Sequence, residues 1–410
     1  MRRVAITGIG VISPVGNNSA EFYSSLMEGR SGIACLRGDF PVALTGHIAA
    51  QVEFNSSEYF PKPLRNSLDR FSQFALAAAA QAISDAVLNP EQEDRTRIGV
   101  CIGSGMGGAR TIEDGYTAIY KRGATSLRPQ TVLMAMNCAG SSQIALTHAL
   151  AGPNMTFSTA CSSSALAIGE AYRLIKHGYA DVMLAGGAEA LLTCGVMKAW
   201  EGLRTLATAD AEDPSSSCRP FSLDRSGLVL GEGAAIVVLE ACDRALQRKA
   251  SIYGEVIGFG STNDTLHITR PSVEGEARAM KLAIDEAGIQ PADIDYINAH
   301  GTATQAGDRV ESAAIKHVFG KRAYRIPVSS TKSMHGHMMG ATAAVEFIAS
   351  TLAIKHQSVP PTANWRETDP ECDLDYVVEG SRTGVNVRTV MSNSFAFGGS
   401  SAVLIARSFE

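Results

Sequence analysis

Short apolar runs recur along the whole chain, each broken by glycine or a polar turn, with stretches of helical periodicity between them. Val4–Thr7, Ile98–Ile102, Val182–Ala185, Ala234–Leu239, Tyr296–Ala299, Ile326–Ser329, Thr389–Ser392 and Ala402–Ala406 have the length and content of buried strands. Phe71–Val87, Ala165–His177, Glu276–Ala287, Asp308–Phe319 and Thr342–His356 read as helices. Strands alternating with helices predict an α/β layered fold, its sheets covered by helices. At 410 residues the chain can bury a large core, and its 39 glycines point to tight turns and close backbone approaches. No linker divides it, since Asp213–Ser217 is too brief. The two ends still rhyme: apolar strand, glycine turn and small-residue helix occur around Cys161 and again around His337–Gly340. That predicts a duplicated architecture, residues 1–250 and 251–410, with its seam near Ala250.

A net charge of −5, without a Lys/Arg-rich run, gives no reason to expect nucleic acid. The eight cysteines form no C-x-x-C pair and no disulfide-framework spacing, as expected of reduced thiols in the cytoplasm. Met1-Arg2-Arg3 followed by Val4–Gly10 superficially resembles a secretion signal, but the run is short and glycine-punctuated, as in a buried first strand. No apolar run is long enough to span a membrane.

Cys161 is the most informative single residue. It stands in Ser158-Thr159-Ala160-Cys161-Ser162-Ser163-Ser164, where an apolar stretch meets tiny side chains opening into an amphipathic helix. At a helix N-terminus, free N–H groups and the macrodipole favour thiolate over thiol. A buried structural cysteine would need none of this. Two later segments, Asn298-Ala299-His300-Gly301-Thr302-Ala303-Thr304 and Ser330-Thr331-Lys332-Ser333-Met334-His335-Gly336-His337, each read as a short strand running into a histidine-bearing turn. One cysteine with two separate histidine loops has the general form of nucleophilic catalysis and points to an enzyme.

Duller readings compete at each motif. Gly103-Ser104-Gly105-Met106-Gly107-Gly108 fits G-x-G-x-x-G but lacks the following strand with its acidic residue, so close backbone passage is the better reading. His300, His335, His337 and Asp308 would suit a zinc site, against which stands Lys332, three residues from His335. A structural monovalent cation near Glu311 and the C-terminal loop stays open beside it. Asn393-Ser394-Phe395-Ala396-Phe397-Gly398-Gly399 is either a turn with two packed aromatics or an oxyanion-binding glycine turn with an aromatic gate. His47, His148, His177, His267, His317 and His356 read as surface or core residues.

Taken together, these four motifs resemble the beta-ketoacyl-[acyl-carrier-protein] synthases, specifically the elongating Cys-His-His type of fatty-acid and type II polyketide systems. The resemblance runs from Val4 to Ala406 and takes in Ala185–Glu189 and Arg219–Gly227. It implies a thiolase-like five-layered α/β/α/β/α fold of two pseudo-equivalent halves, a homodimer or a heterodimer with a ketosynthase-like subunit, and no cofactor or metal. Substrates would arrive on the phosphopantetheine of acyl carrier protein. It implies Cys161 as nucleophile, the N–H groups of Cys161 and Phe397 as oxyanion hole, and His300 and His337 polarising the malonyl thioester. Thr302, Thr304, Phe395 and Phe397 would meet substrate. Lys332 would act from behind the imidazoles, paired with Glu311 and accompanied by Asp308. Met106 is expected at an acyl-pocket gate and Trp200 near the entrance, while Lys62, Arg65 and Arg204 are candidates for docking an acidic carrier protein. Ala396 and Ser401 depart from the usual Phe-Gly-Phe-Gly-Gly-Thr-Asn, which puts loop mobility in question. The rivals are a thiolase-like acyltransferase on coenzyme A esters and a cavity-shaping partner subunit.

Overall fold

The structure, a computed structural model, describes residues 1–410 apart from Asp39, Pro41, Thr45 and Gly46. Ten strands form the main sheet: β1 (Val4–Ile12), β2 (Ile98–Gly103), β3 (Asn154–Phe157), β4 (Val182–Glu189), β5 (Gly233–Ala241), β6 (Gly254–Asn263), β7 (Tyr296–Asn298), β8 (Val328–Ser329), β9 (Thr389–Phe395) and β10 (Ser400–Arg407). The spatial order is β1-β5-β4-β2-β3 in the first half and β6-β10-β9-β7-β8 in the second, the same permutation twice. Both halves also share the same directions, with two antiparallel ladders followed by two parallel ones. The two five-stranded units meet edge to edge, where Val4–Ile6 of β1 pairs with Gly254–Val256 of β6.

Side chains alternate across each strand, and both faces are buried. In β5, Ala235, Val237 and Leu239 enter the core shared by the halves, while Ile236 and Val238 face an outer helix layer. In β10, Leu404 and Ala406 take the shared side and Val403 and Ile405 the outer one. The helices sort into three layers: α1 (Arg70–Asp85) outside the first sheet, α2 (Ser163–Lys176) and α5 (Thr342–His356) between the sheets, and α3 (Val273–Ala287) and α4 (Gln305–Phe319) outside the second. This is the five-layered thiolase-like arrangement. In α5 every residue from Thr342 to Ile354 is buried, as a helix walled in on all sides requires.

Close helix–sheet approach recurs in both halves. A Cβ on Gly10 of β1 would lie 2.0 Å from the Ala78 carbonyl oxygen of α1, and one on Gly260 of β6 would lie 2.1 Å from that of Ala279 of α3. Strands β3 and β6 were not expected from sequence. The first is an exposed edge with a weak apolar signal, and the second is interrupted by three glycines, so pairing rather than composition makes them strands.

Candidate active site

The nucleophile turn is built by β3, the 3-10 turn Ala160–Ser162 and α2. Ala160 is held at φ 52, a left-handed conformation that side chains ordinarily avoid. It is stapled by Ser163 Oγ, which donates to the Ala160 carbonyl (2.7 Å) and accepts from the Thr159 N–H (2.9 Å). The run of small residues also has a packing cause: a Cβ on Gly103 of β2 would lie 2.3 Å from the Ser164 nitrogen. Cys161, 5% exposed, thus projects from a rigid turn at the base of a cavity of about 310 Å3.

The two histidine loops leave neighbouring parallel strands, β7 and β8, so their rings converge. Edge to face, the rings of His300 and His337 stand 5.6 Å apart. Nε2 of His337 lies 3.0 Å from Cys161 Sγ, while Nδ1 accepts from the Met339 N–H (3.1 Å) and faces Thr342 Oγ1 (2.9 Å). A backbone N–H can only donate, so the neutral ring carries its proton on Nε2, facing the sulfur. Glu311 fixes the other loop by accepting from the N–H groups of His300 (2.8 Å) and Gly301 (2.7 Å) and from Asn393 Nδ2 (3.1 Å).

Burial holds both imidazoles well below the ordinary histidine range; Lys332 adds to this for each, with His337 acting on His300 and His335 on His337. Both are therefore neutral at neutral pH. Burial also pushes the Cys161 thiol up to about 12, outweighing the downward pull of Lys332 and of the Phe397 and Cys161 N–H groups. The expected thiolate at rest is thus corrected: desolvation exceeds the helix-end effect, and the resting group is a thiol.

The expected pairing of Lys332 with Glu311 is also corrected. Lys332 Nζ donates to Glu346 Oε1 on α5 and to the His300 carbonyl, both at 2.5 Å, whereas Glu311 is engaged by N–H donors. The central helix lies directly beneath the histidine loops, so it supplies the counterion. Asp308 accepts from the Phe221 N–H (2.7 Å) and lies 3.5 Å from Arg225 Nε, while Ala303, between the two threonines, is left-handed (φ 63). Thr304 Oγ1 caps α4 through the Gly307 N–H (3.2 Å) and lies 3.0 Å from Thr302 Oγ1.

Thr302, Thr304, Phe395, Phe397 and Arg204 line the cavity with the cysteine and both histidines. Trp200 stands behind, stacked on Phe397 at 5.9 Å. Met106, Lys62 and Arg65 do not line it: Met106 is 39% exposed, and the two basic residues sit on a short surface helix, Lys62–Arg65. The glycine run before Met106 brings backbone close to a buried carboxylate. The N–H groups of Gly105 and Met106 are taken by the buried Glu189 (2.7 and 3.0 Å), which also accepts from the Gly340 N–H. His267 was expected away from the site, yet it lines the cavity on a loop tied to the glycine turn by Gly398 N–H to the Ile268 carbonyl (2.8 Å). Ala396 has extended backbone (φ −109), so its methyl imposes no strain. Sequence reasoning missed Glu346, Thr342 and Glu189, whose only signal is a polar residue inside an otherwise apolar run.

Ligand atoms of Cys161, His300 and His337 lie within 4.8 Å of one another, the single such group among the described residues spaced to hold a metal ion. A dication there would be repelled by the Lys332 ammonium, whose charge acts on all three groups.

Comparison with known proteins decides the family. The beta-ketoacyl synthase N-terminal domain matches residues 1–245 and the C-terminal domain residues 253–366. The chain belongs to the beta-ketoacyl synthase family. This synthase is 41% identical over 412 residues to the 3-oxoacyl-[acyl-carrier-protein] synthase 2 of Staphylococcus aureus, covering 100% of the chain and 99% of that protein. Among solved structures, the synthase matches the ishigamide ketosynthase/chain length factor with a TM-score of 0.93 and 35% identity. It matches a type II PKS acyl-carrier protein in complex with its ketosynthase at 0.92 and 34%. Each of these two matches covers 100% of both chains.

Proposed function

We propose that this synthase carries out decarboxylative Claisen condensation between an acyl chain on Cys161 and malonyl-acyl-carrier protein. The observation that carries this is the buried thiol of Cys161 facing the two neutral imidazoles of His300 and His337. In the first half-reaction the Cys161 sulfur attacks the acyl thioester of the carrier protein. The carrier's pantetheine sulfur leaves and takes up the proton that the thiol gives up. The N–H groups of Phe397 and Cys161 face the oxyanion formed on the way; losing one such donor costs on the order of a hundredfold or more. In the second, malonyl-carrier protein places its thioester oxygen against His300 and His337. Carbon dioxide leaves, and the electron pair of the broken C–C bond passes into an enolate held by the imidazole N–H groups. The enolate carbon attacks acyl-Cys161, the bond from the acyl carbon to sulfur breaks, and the departing thiolate takes a proton from water, leaving 3-oxoacyl-carrier protein. No separate cofactor enters this scheme.

Intact Cys161, His300 and His337 favour this over a cavity-shaping partner subunit, and no second cysteine near Gly398-Gly399 supports a thiolase. Arg204 at the cavity mouth, with Lys62 and Arg65, is proposed to meet the acidic carrier protein. Among the described residues β3 ends the sheet, and Val132, Leu133 and Leu146 are exposed along with Met155 of β3 itself, which supports a dimer with a second copy or a ketosynthase-like subunit through this edge. The repeated strand order supports division at residues 1–250 and 251–410. Among the described residues no helix is long and apolar enough to cross a membrane, and we assign the chain to the cytoplasm. Mass spectrometry after incubation with acyl-carrier protein tests the assignment. An acyl adduct on the wild type that is absent from Cys161→Ala is expected, and an adduct that survives the substitution would overturn it.

A further inference from the structure

Glu276 lies on the cavity wall with Thr302 and Glu311, yet no step above uses it. It is 3% exposed, and its Oε2 is sealed from solvent without a hydrogen-bond partner. Its position is fixed. Ser272 caps α3 by accepting from the Gly275 N–H (3.1 Å), and a Cβ on Gly275 would lie 2.4 Å from that of Asp264. Burial above all, then Glu311 and Asp308 on α4 and Asp264 after β6, holds this carboxyl well above the ordinary carboxylate range. His267 and Arg270 face the same cavity from the loop before α3, and Glu274 is the other acidic group in the first turn of α3. Burial and these neighbouring carboxyls thus favour the protonated form of Glu276, whose Oε2 has no hydrogen-bond partner within the protein.

The walls differ in character. Around Cys161 the lining is apolar, with Leu228, Ala396 and Phe397. The wall from α3 and α4 is polar. With the malonyl thioester oxygen at the imidazoles, the polar wall that Glu276 shares with Thr302 and Glu311 is the side of the cavity chemically suited to a carboxylate. We propose that Glu276 positions the extender unit by donating a hydrogen bond to the carboxylate that malonyl-carrier protein loses as carbon dioxide. This rests on the condensation reading above. The O–H to carboxylate bond is charge-assisted and strong, whereas an ionised Glu276 would repel the same group. As negative charge leaves the carboxylate for the thioester oxygen, the bond weakens. The contact is thus somewhat stronger in the ground state than in the transition state, so its loss raises KM and leaves kcat unchanged or modestly higher.

The test measures carbon dioxide release from malonyl-carrier protein by pre-acylated enzyme across pH, beside acyl transfer to Cys161. Glu276→Ala should raise the malonyl KM roughly tenfold or more with kcat within about threefold. Glu276→Gln, whose amide still donates, should keep KM near wild type. Rising pH should raise KM in the wild type as Glu276 ionises, and leave it flat in Glu276→Gln. Acyl transfer should be the same in all three, because the acyl chain brings no carboxylate. An unchanged KM in Glu276→Ala, the wild-type pH rise in Glu276→Gln, or equal losses in both half-reactions would overturn the inference. Failure of the wild type to form acyl-Cys161 would count instead against the condensation reading.

Discussion

At the scale of single residues, the site works by desolvation. Cys161, His300 and His337 are all buried, and burial is the foremost cause of each group's shift toward its neutral form. Neutral imidazoles donate N–H bonds to an enolate oxygen without first holding a positive charge. Their acid limb must then lie below the ordinary histidine value, because both shifts are downward. Carbon dioxide release should stay flat as pH falls through 6.5, the unshifted histidine value, and decline only in more acid solution. A midpoint near 6.5 would contradict the assignment. Lys332 and Glu346 form a fully buried pair beneath the rings. Glu346→Ala leaves the ammonium unpaired and should cost about 3–5 kcal/mol in denaturant unfolding. A Lys332→Met/Glu346→Leu double variant should recover part of that loss.

At the scale of elements, the catalytic groups are held at strand ends by loops that brace one another. The loop after β6 and the glycine turn between β9 and β10 exchange three bonds: Asn263 Nδ2 to the Gly398 carbonyl, the Asp264 N–H to that of Gly399, and the Gly398 N–H to that of Ile268. Gly399 is at φ 79, and a Cβ there would lie 2.2 Å from Asp264 Oδ1. Gly399→Ala should therefore displace the turn and with it the Phe397 N–H. Acyl transfer should fall by on the order of a hundredfold while the fold persists, as judged by circular dichroism. An unaltered rate would show that Phe397 N–H does not carry the oxyanion.

At the scale of the molecule, two copies of one strand permutation sandwich a buried helix pair, and each half supplies part of the site: Cys161 from the first, both histidines from the second. The open edge at β3 predicts a second subunit. Sedimentation should give about twice the 43.2 kDa chain mass, and Leu133→Glu with Met155→Glu should shift it toward the monomer. Much of this was legible beforehand. Buried strands announce themselves by unbroken apolar runs, and Cys161, His300 and His337 by the polar, glycine-bearing turns that follow such runs, because those patterns are local. Strand order, the Lys332–Glu346 pairing, the protonation of Cys161 and the place of Glu276 on the cavity wall were not. Each depends on which distant segments exclude water together, and burial of that kind exists only once the chain has closed on itself.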